Sequence, residues 1–218
     1  MKIYGISGLG ADKRVFKFLN LEHEFIPIDW IDPLKNESIS AYSKRLSSII
    51  DTSEKFCVLG VSFGGLIAVE ISKFLKPELT ILISSAETRQ ELPLIYRILG
   101  KTKIVKIIPS KLLDPPRWIA NILFGTKKVE LLNEILDDTD LKFTKWAIQE
   151  LSSWENEQRV EKVLKIVGTK DKLIPLKSIK NIRLVKDGGH LMIIDNAKEV
   201  SEIINQEIKN VLLLSNPC

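Results

Sequence analysis

Residues 58–70 read VLGVSFGGLIAVE. Apolar, β-prone residues run into Ser62, which sits among Gly60, Gly64 and Gly65, and an apolar stretch of helical character follows. Gly60-Val61-Ser62-Phe63-Gly64 fits the pattern G-x-S-x-G, a strand–turn–helix element that lifts a serine hydroxyl above a sheet. Two readings compete. Either Ser62 is a nucleophile, or the stretch is an ordinary tight turn. Five residues do not decide between them, so the rest of the chain has to supply a base, an acid and donors for an oxyanion.

On both sides of this stretch, short apolar runs alternate with amphipathic ones. Lys2–Ser7, Glu24–Asp29, Phe56–Val61 and Thr80–Ser84 read as strands. Between them, Asp12 can cap a helix carrying Val15, Phe16 and Leu19, and Ser38 can cap one that places Ile39, Tyr42, Leu46 and Ile49 on one face. A third helix runs from Phe63 to Leu75 and stops before Pro77. Strand and helix in alternation predict right-handed βαβ units in a parallel sheet covered on both faces. The rhythm breaks after Ser85. From Glu87 to about Trp154 the sequence predicts only helices, the last over Leu141–Ser153 behind the capping pair Thr139-Asp140. Strands return at Val163–Val167 and Ile182–Val185, and a terminal helix carries Val200, Ile203, Ile204, Ile208, Val211 and Leu212 on one stripe. The expectation is an α/β core of residues 1–86 and 155–218, with a mostly parallel six-stranded sheet, interrupted by an all-helical lid of residues 87–154. Gly168 to Ile182 leaves room for a helix of one or two turns between the last two strands.

Bulk composition narrows the function. The 218 residues are 44% hydrophobic and 28% charged, with 32 basic against 28 acidic side chains. A net charge of +4 without a dense basic stripe argues against a nucleic-acid partner. No stretch approaches the length of a membrane span, and MKIYGISGLG lacks the apolar core of a signal peptide. Two cysteines, Cys57 and Cys218, make neither a disulfide framework nor a metal site. A reduced, cytoplasmic protein without stable membrane insertion, metal or other cofactor is expected.

In a parallel sheet the loops after the strands converge on one rim. Four of them carry the chemistry: Ser7-Gly8-Leu9-Gly10-Ala11-Asp12, the Ser62 turn, Gly168-Thr169-Lys170-Asp171-Lys172-Leu173-Ile174-Pro175, and Asp187-Gly188-Gly189-His190. A serine hydroxyl attacks a carbonyl only when an imidazole removes its proton, and the imidazole needs a carboxylate to fix its tautomer and stabilise its cation. His190 is one of two histidines and follows a strand and two glycines, which suits the base; His23, between Glu22 and Glu24, reads as a surface residue. Asp171 suits the acid, with Glu87 the alternative and Asp187 too near His190. The helix opening at Phe63 aims free backbone N–H groups at a developing negative charge, so the Phe63 and Leu9 amides are the candidate oxyanion donors.

These loops together make the chain resemble the α/β-hydrolase superfamily, close to its small serine hydrolases with a helical cap. The resemblance covers nearly the whole chain through SGLGADKRVF, GVSFGG, GTKDKLIP and GGHLMI. It departs in three ways. Ser7 stands where many members have histidine, the chain starts directly on the oxyanion-loop strand, and the Asp171–His190 connection is short. The order Ser62, Asp171, His190 is that of the fold. The resemblance implies hydrolysis of a carboxylic ester or thioester of a small molecule through an acyl-enzyme on Ser62. A ligand-binding or signalling protein with little turnover, or a C–C hydrolase using the same three residues, remain alternatives. Lys101, Lys103, Lys106 and Lys111 read as a solvated lid face before they read as an attractant for an anionic substrate or membrane surface. Trp118, Trp146 and Trp154 read either as lid core or as pocket lining, with nothing in the sequence to choose between the two, and an exposed lid would also suit a homodimer.

Overall fold

A computed structural model describes residues 1–102, 104–175 and 182–215. Its framework is one six-stranded sheet in the order β2-β1-β3-β4-β5-β6, with every neighbouring pair parallel. The strands are β1 (Lys2–Ile6), β2 (Glu24–Ile28), β3 (Phe56–Val61), β4 (Leu79–Ile83), β5 (Val163–Gly168) and β6 (Ile182–Val185). Each lies within a residue or two of its expected span, and the sheet is wholly rather than mostly parallel. Buried apolar residues cover both faces. On β3, Phe56 and Val58 enter one core while Cys57, Leu59 and Val61 enter the other, as the two-residue period of a strand requires.

Helices follow the strands with differences at their ends. Ser38 caps α1 (Ile39–Leu46), its hydroxyl accepting from the Ala41 N–H, and Ile39, Tyr42 and Leu46 are buried. Ile49 does not join them. The chain tightens into a 3-10 turn over Ser47–Ile49, which rotates Ile49 into solvent and brings Ile50 inward. Asp12 likewise caps only one 3-10 turn, Lys13–Phe16, so Leu19 lies beyond it. α2 (Phe63–Leu75) ends at the left-handed Lys76, one residue before Pro77. The expected short helix between β5 and β6 falls on residues 176–181, outside the described residues, as do Lys103 and Cys218.

Between β4 and β5 the described residues contain no strand. They form α3 (Leu94–Thr102), 3-10 turns at Ile104–Lys106 and Ser110–Leu113, α4 (Arg117–Phe124), α5 (Val129–Asp137) and α6 (Leu141–Ser153). Asp140 caps α6 by accepting from the Lys142 N–H. α6 is joined to the sheet-covering helices through aromatic contacts. Trp146 packs on Tyr42 at 4.4 Å between ring centroids and edge-on to Phe63 at 5.9 Å, while its indole donates to the Glu37 carbonyl. The Glu150 carboxylate accepts from the Ile39 N–H, adding a second bond between α6 and α1. The chain closes with α7 (Met192–Asp195) and α8 (Ala197–Ser215), whose Val200, Ile204 and Ile208 are fully buried.

Removal of the large ring at this junction leaves a cavity that backbone relaxation fills only in part. Trp146→Ala is expected to lower stability by about 3–5 kcal/mol, read as a fall in the urea midpoint at an unchanged slope.

Candidate active site

Ser62 sits in a turn that its side chain would ordinarily avoid. Its backbone lies at φ 51° and ψ −120°, between the last residue of β3 and the first of α2. Such a conformation costs about 1–3 kcal/mol and needs a surrounding structure that enforces it. Two glycines make that structure possible. A Cβ on Gly60 would strike the Gly64 backbone, and a Cβ on Gly64 would strike the Ser7 carbonyl. β3, α2 and the loop after β1 therefore meet backbone to backbone. Hydrogen bonds then hold the turn: the Ser62 N–H donates to the Ile83 carbonyl (2.9 Å), and the Ser85 hydroxyl donates to the Ser62 carbonyl (2.7 Å).

The loops after β5 and β6 reach the same point. His190 is 2% exposed, and its Nε2 lies 2.9 Å from Ser62 Oγ. Its Nδ1 lies 2.9 and 3.0 Å from the two carboxylate oxygens of Asp171. Since a carboxylate accepts, Nδ1 carries the proton, which leaves Nε2 free to accept from the serine hydroxyl. Asp171 is itself held by the Leu173 and Ile174 N–H groups, at 2.9 and 3.0 Å. Burial pushes its carboxyl upward, but the hydrogen bond and charge of His190, with the Ile174 N–H, outweigh that and hold it below the usual 3.8. The other carboxylates are occupied elsewhere. Asp187 pairs with Lys170 at 2.8 Å, and buried Glu87 pairs with Lys165 and with Arg159.

The loop after β1 supplies the remaining wall. Gly8 lies against Ser62, where an added Cβ would come within 3.4 Å of the serine Cβ. Ser7, the residue that departs from histidine, is buried and donates to the Ala11 carbonyl at 2.8 Å, and the Trp30 indole donates to the same oxygen at 2.9 Å. Both bonds hold the loop against the rim. Leu9 and Phe63 border one cavity with Ser62 and His190. As the first residue of α2, Phe63 has an N–H with no intrahelical acceptor.

That cavity has a volume of about 380 Å³ and is almost wholly apolar. The helical segment lines it with residues such as Leu99, Ile108, Leu113 and Ile148. Among the described residues no lysine, arginine or tryptophan lines it, so Lys101, Lys106, Lys111, Trp118, Trp146 and Trp154 all lie away from it. Trp146 and Trp154 are buried in the core, whereas Trp118 is 66% exposed. Sequence reasoning missed three residues here. Ser85 follows β4 in a Ser-Ser pair whose only signal is proximity to the sheet rim. Trp30 follows β2, and Tyr96 borders the cavity from α3, its phenol pushed up by burial and by the charge of Asp171. Among the described residues, no group of three or more His, Cys, Asp or Glu side chains is placed to hold a metal ion.

The lowered Asp171 carboxyl carries a sign for stability. A group whose native pKa is depressed stabilises the fold above its unfolded pKa, and that stabilisation disappears as pH falls through the native value. In Asp171→Asn, the loss of stability on acidification below about pH 4 should be shallower than in the parent, as measured by urea unfolding across pH.

No protein-family model matches the sequence, and no curated protein matches it in sequence. Solved structures do match the whole architecture. MenH from S. aureus superposes with a TM-score of 0.72 at 17% identity, over 97% of this chain and 94% of that one. The enol-lactonase from Burkholderia xenovorans LB400 gives 0.73 at 15%, over 95% and 91%. A thermophilic esterase from Thermogutta terrifontis gives 0.69 at 14%, over 97% and 90%. With its parallel sheet, its strand order and these superpositions, the chain has the fold of the α/β-hydrolase superfamily.

Proposed function

We propose that the protein is a serine hydrolase that cleaves a carboxylic ester or thioester through an acyl-enzyme on Ser62. The observation that carries this reading is the bridge made by His190, 2.9 Å from Ser62 Oγ on one side and 2.9 Å from Asp171 on the other, at the wall of an apolar cavity. Neighbours of the same fold described as an esterase and an enol-lactonase support it. In the reaction, Ser62 Oγ attacks the carbonyl carbon as its proton passes to His190 Nε2. Asp171 holds the imidazolium through Nδ1–H. The carbonyl oxygen becomes an oxyanion facing the Phe63 and Leu9 N–H groups. Collapse of this intermediate breaks the bond to the alcohol or thiol, which leaves with the proton from Nε2. Water, deprotonated by the same imidazole, then attacks the acyl carbon and releases the acid and Ser62.

The helical segment acts in this reading as the cap, and its side chains choose the acyl group. Among the described residues no lysine or arginine lines the cavity, His190 is engaged by Asp171, and Asp114 adds an acid to the wall, so a carboxylate on the acyl chain would be buried without a partner. The substrate is accordingly an uncharged, apolar acyl group. The one described cysteine, Cys57, takes no part in this chemistry: it is buried in β3, and burial pushes its thiol up to about 12 and keeps it protonated.

Ser62→Ala should abolish both labelling by a fluorophosphonate probe and turnover of p-nitrophenyl butyrate. Asp171→Asn should lower kcat by about 10⁴-fold, since the imidazole then loses its tautomer control. Folded protein that is not labelled at Ser62, or labelling that survives His190→Ala, would sink the reading. Separately, the butyryl ester should be turned over roughly 100-fold or more faster than a glutaryl monoester of the same phenol, because an unpaired buried carboxylate costs several kcal/mol. Equal rates would overturn the substrate class.

A further inference from the structure

The layer of the cap formed by residues 94–113 is apolar on both of its faces. Neighbouring residues point opposite ways. Ile104, Ile107 and Leu112 are exposed, while Val105, Ile108 and Leu113, each the next residue, border the cavity. The exposure of Ile107 reaches 79% and that of Leu112 reaches 74%. α3 repeats the pattern: Ile95 and Ile98 are exposed, Tyr96 and Leu99 border the cavity, and no residue of this helix is fully buried. α3 and both 3-10 turns pack against α6, so their outer faces form one continuous shelf. Single exposed apolar residues are ordinary on a protein surface, but a clustered shelf marks a face that something else covers.

Charge identifies the cover. LIYRILGKTKIVKIIPSKLL carries five of the 32 basic residues and no acid, which leaves 27 basic against 28 acidic in the rest of the chain. The positive charge of the whole molecule is thus carried by this stretch of sequence, and three of its lysines lie on the shelf. Lys101, Lys106 and Lys111 are exposed, and none forms an ion pair among the described residues. A second copy placed on this face would bring six exposed lysines together, Lys101, Lys106 and Lys111 from each, with Glu150 near Lys106 the one acid this chain sets against them among the described residues, which argues against a dimer. Apolar side chains interleaved with unpaired lysines fit a surface that is anionic outside and apolar beneath.

We propose that this shelf docks the protein on an anionic lipid bilayer, with Ile104, Ile107 and Leu112 entering the acyl boundary and the lysines meeting the headgroups. Among the described residues no helix is long and apolar enough to cross a membrane, so the attachment is peripheral. The docking does not depend on the chemistry assigned to Ser62. Its consequence for substrate choice does rest on that reading: an acyl chain held in the bilayer would lie one helical layer from the nucleophile.

The test is sedimentation of the full chain with sucrose-loaded vesicles of phosphatidylcholine and phosphatidylglycerol, 3:1, and with pure phosphatidylcholine. The protein should sediment with the anionic vesicles, release in about 0.5 M salt, and bind the neutral ones weakly. Lys106→Gln with Lys111→Gln should lower the partition coefficient roughly 20-fold or more, at about fivefold per basic side chain. Ile107→Asp with Leu112→Asp should lower it by at least about tenfold. Both pairs lie outside the cavity, so turnover of soluble p-nitrophenyl butyrate should be unchanged. Loss of that turnover in the parent protein would count against the hydrolase reading and leave docking standing. Absence of vesicle binding at low salt, or equal binding by both double variants, overturns the proposal. A dimer in solution that Ile107→Asp with Leu112→Asp dissociates overturns it in favour of a second copy.

Discussion

The backbone of Ser62 is held in a conformation that no serine adopts by preference, and the arrangement of the site descends from that constraint. A residue at φ 51° between a strand and a helix projects its side chain off the sheet rim instead of into either core. The strain is sustained because Gly60 and Gly64 let β3, α2 and the loop after β1 approach without side chains between them, and because Ser85 fixes the carbonyl of the turn. The same close approach places the N-terminus of α2 beside Leu9 and Gly8. One backbone geometry thereby serves both to aim the hydroxyl and to bring two loops into one wall.

Around that point the sheet acts as a ruler. Parallel pairing of β3, β4, β5 and β6 sets their carboxyl ends side by side, so residues 128 positions apart in sequence meet at 2.9 Å. Aromatic packing of Trp146 on Tyr42 and Phe63 then fixes α6 over the rim, and α6 in turn supports the thinner layer that lines the cavity.

Much of this was readable in the chain because the relevant residues are chemically distinctive. Histidine occurs twice, glycine clusters at the turns, and apolar runs mark strands buried on both faces, so Ser62, Asp171, His190 and all six strands could be placed from residue type and order. Local competition blurred the helix ends: Ile49 obeys α-helical spacing, yet the chain tightens before reaching it. The cavity wall was not legible. Tyr96, Ile108 and Ile148 are ordinary residues on amphipathic helices, and which of their faces turns inward depends on how the helices pack against each other. Ser85 was hidden for a related reason, since its role lies in one hydrogen bond to a distant turn.

The two ends of the helical segment are sewn to one another. The Asn156 amide donates to the Glu87 carbonyl at 2.8 Å, the Arg89 N–H donates to the Asn156 carbonyl at 2.8 Å, and buried Lys165 on β5 meets both Glu87 and Glu91 at the point of departure. Entry and exit therefore lie side by side beyond the carboxyl end of β4, and the chain then runs back to the start of the parallel β5. The cavity-lining helices sit between these two fixed points, outside the hydrogen bonds that pair β4 with β5. A scaffold built in this way lets selection rewrite the chamber and its approach while Ser62, His190 and Asp171 keep their alignment.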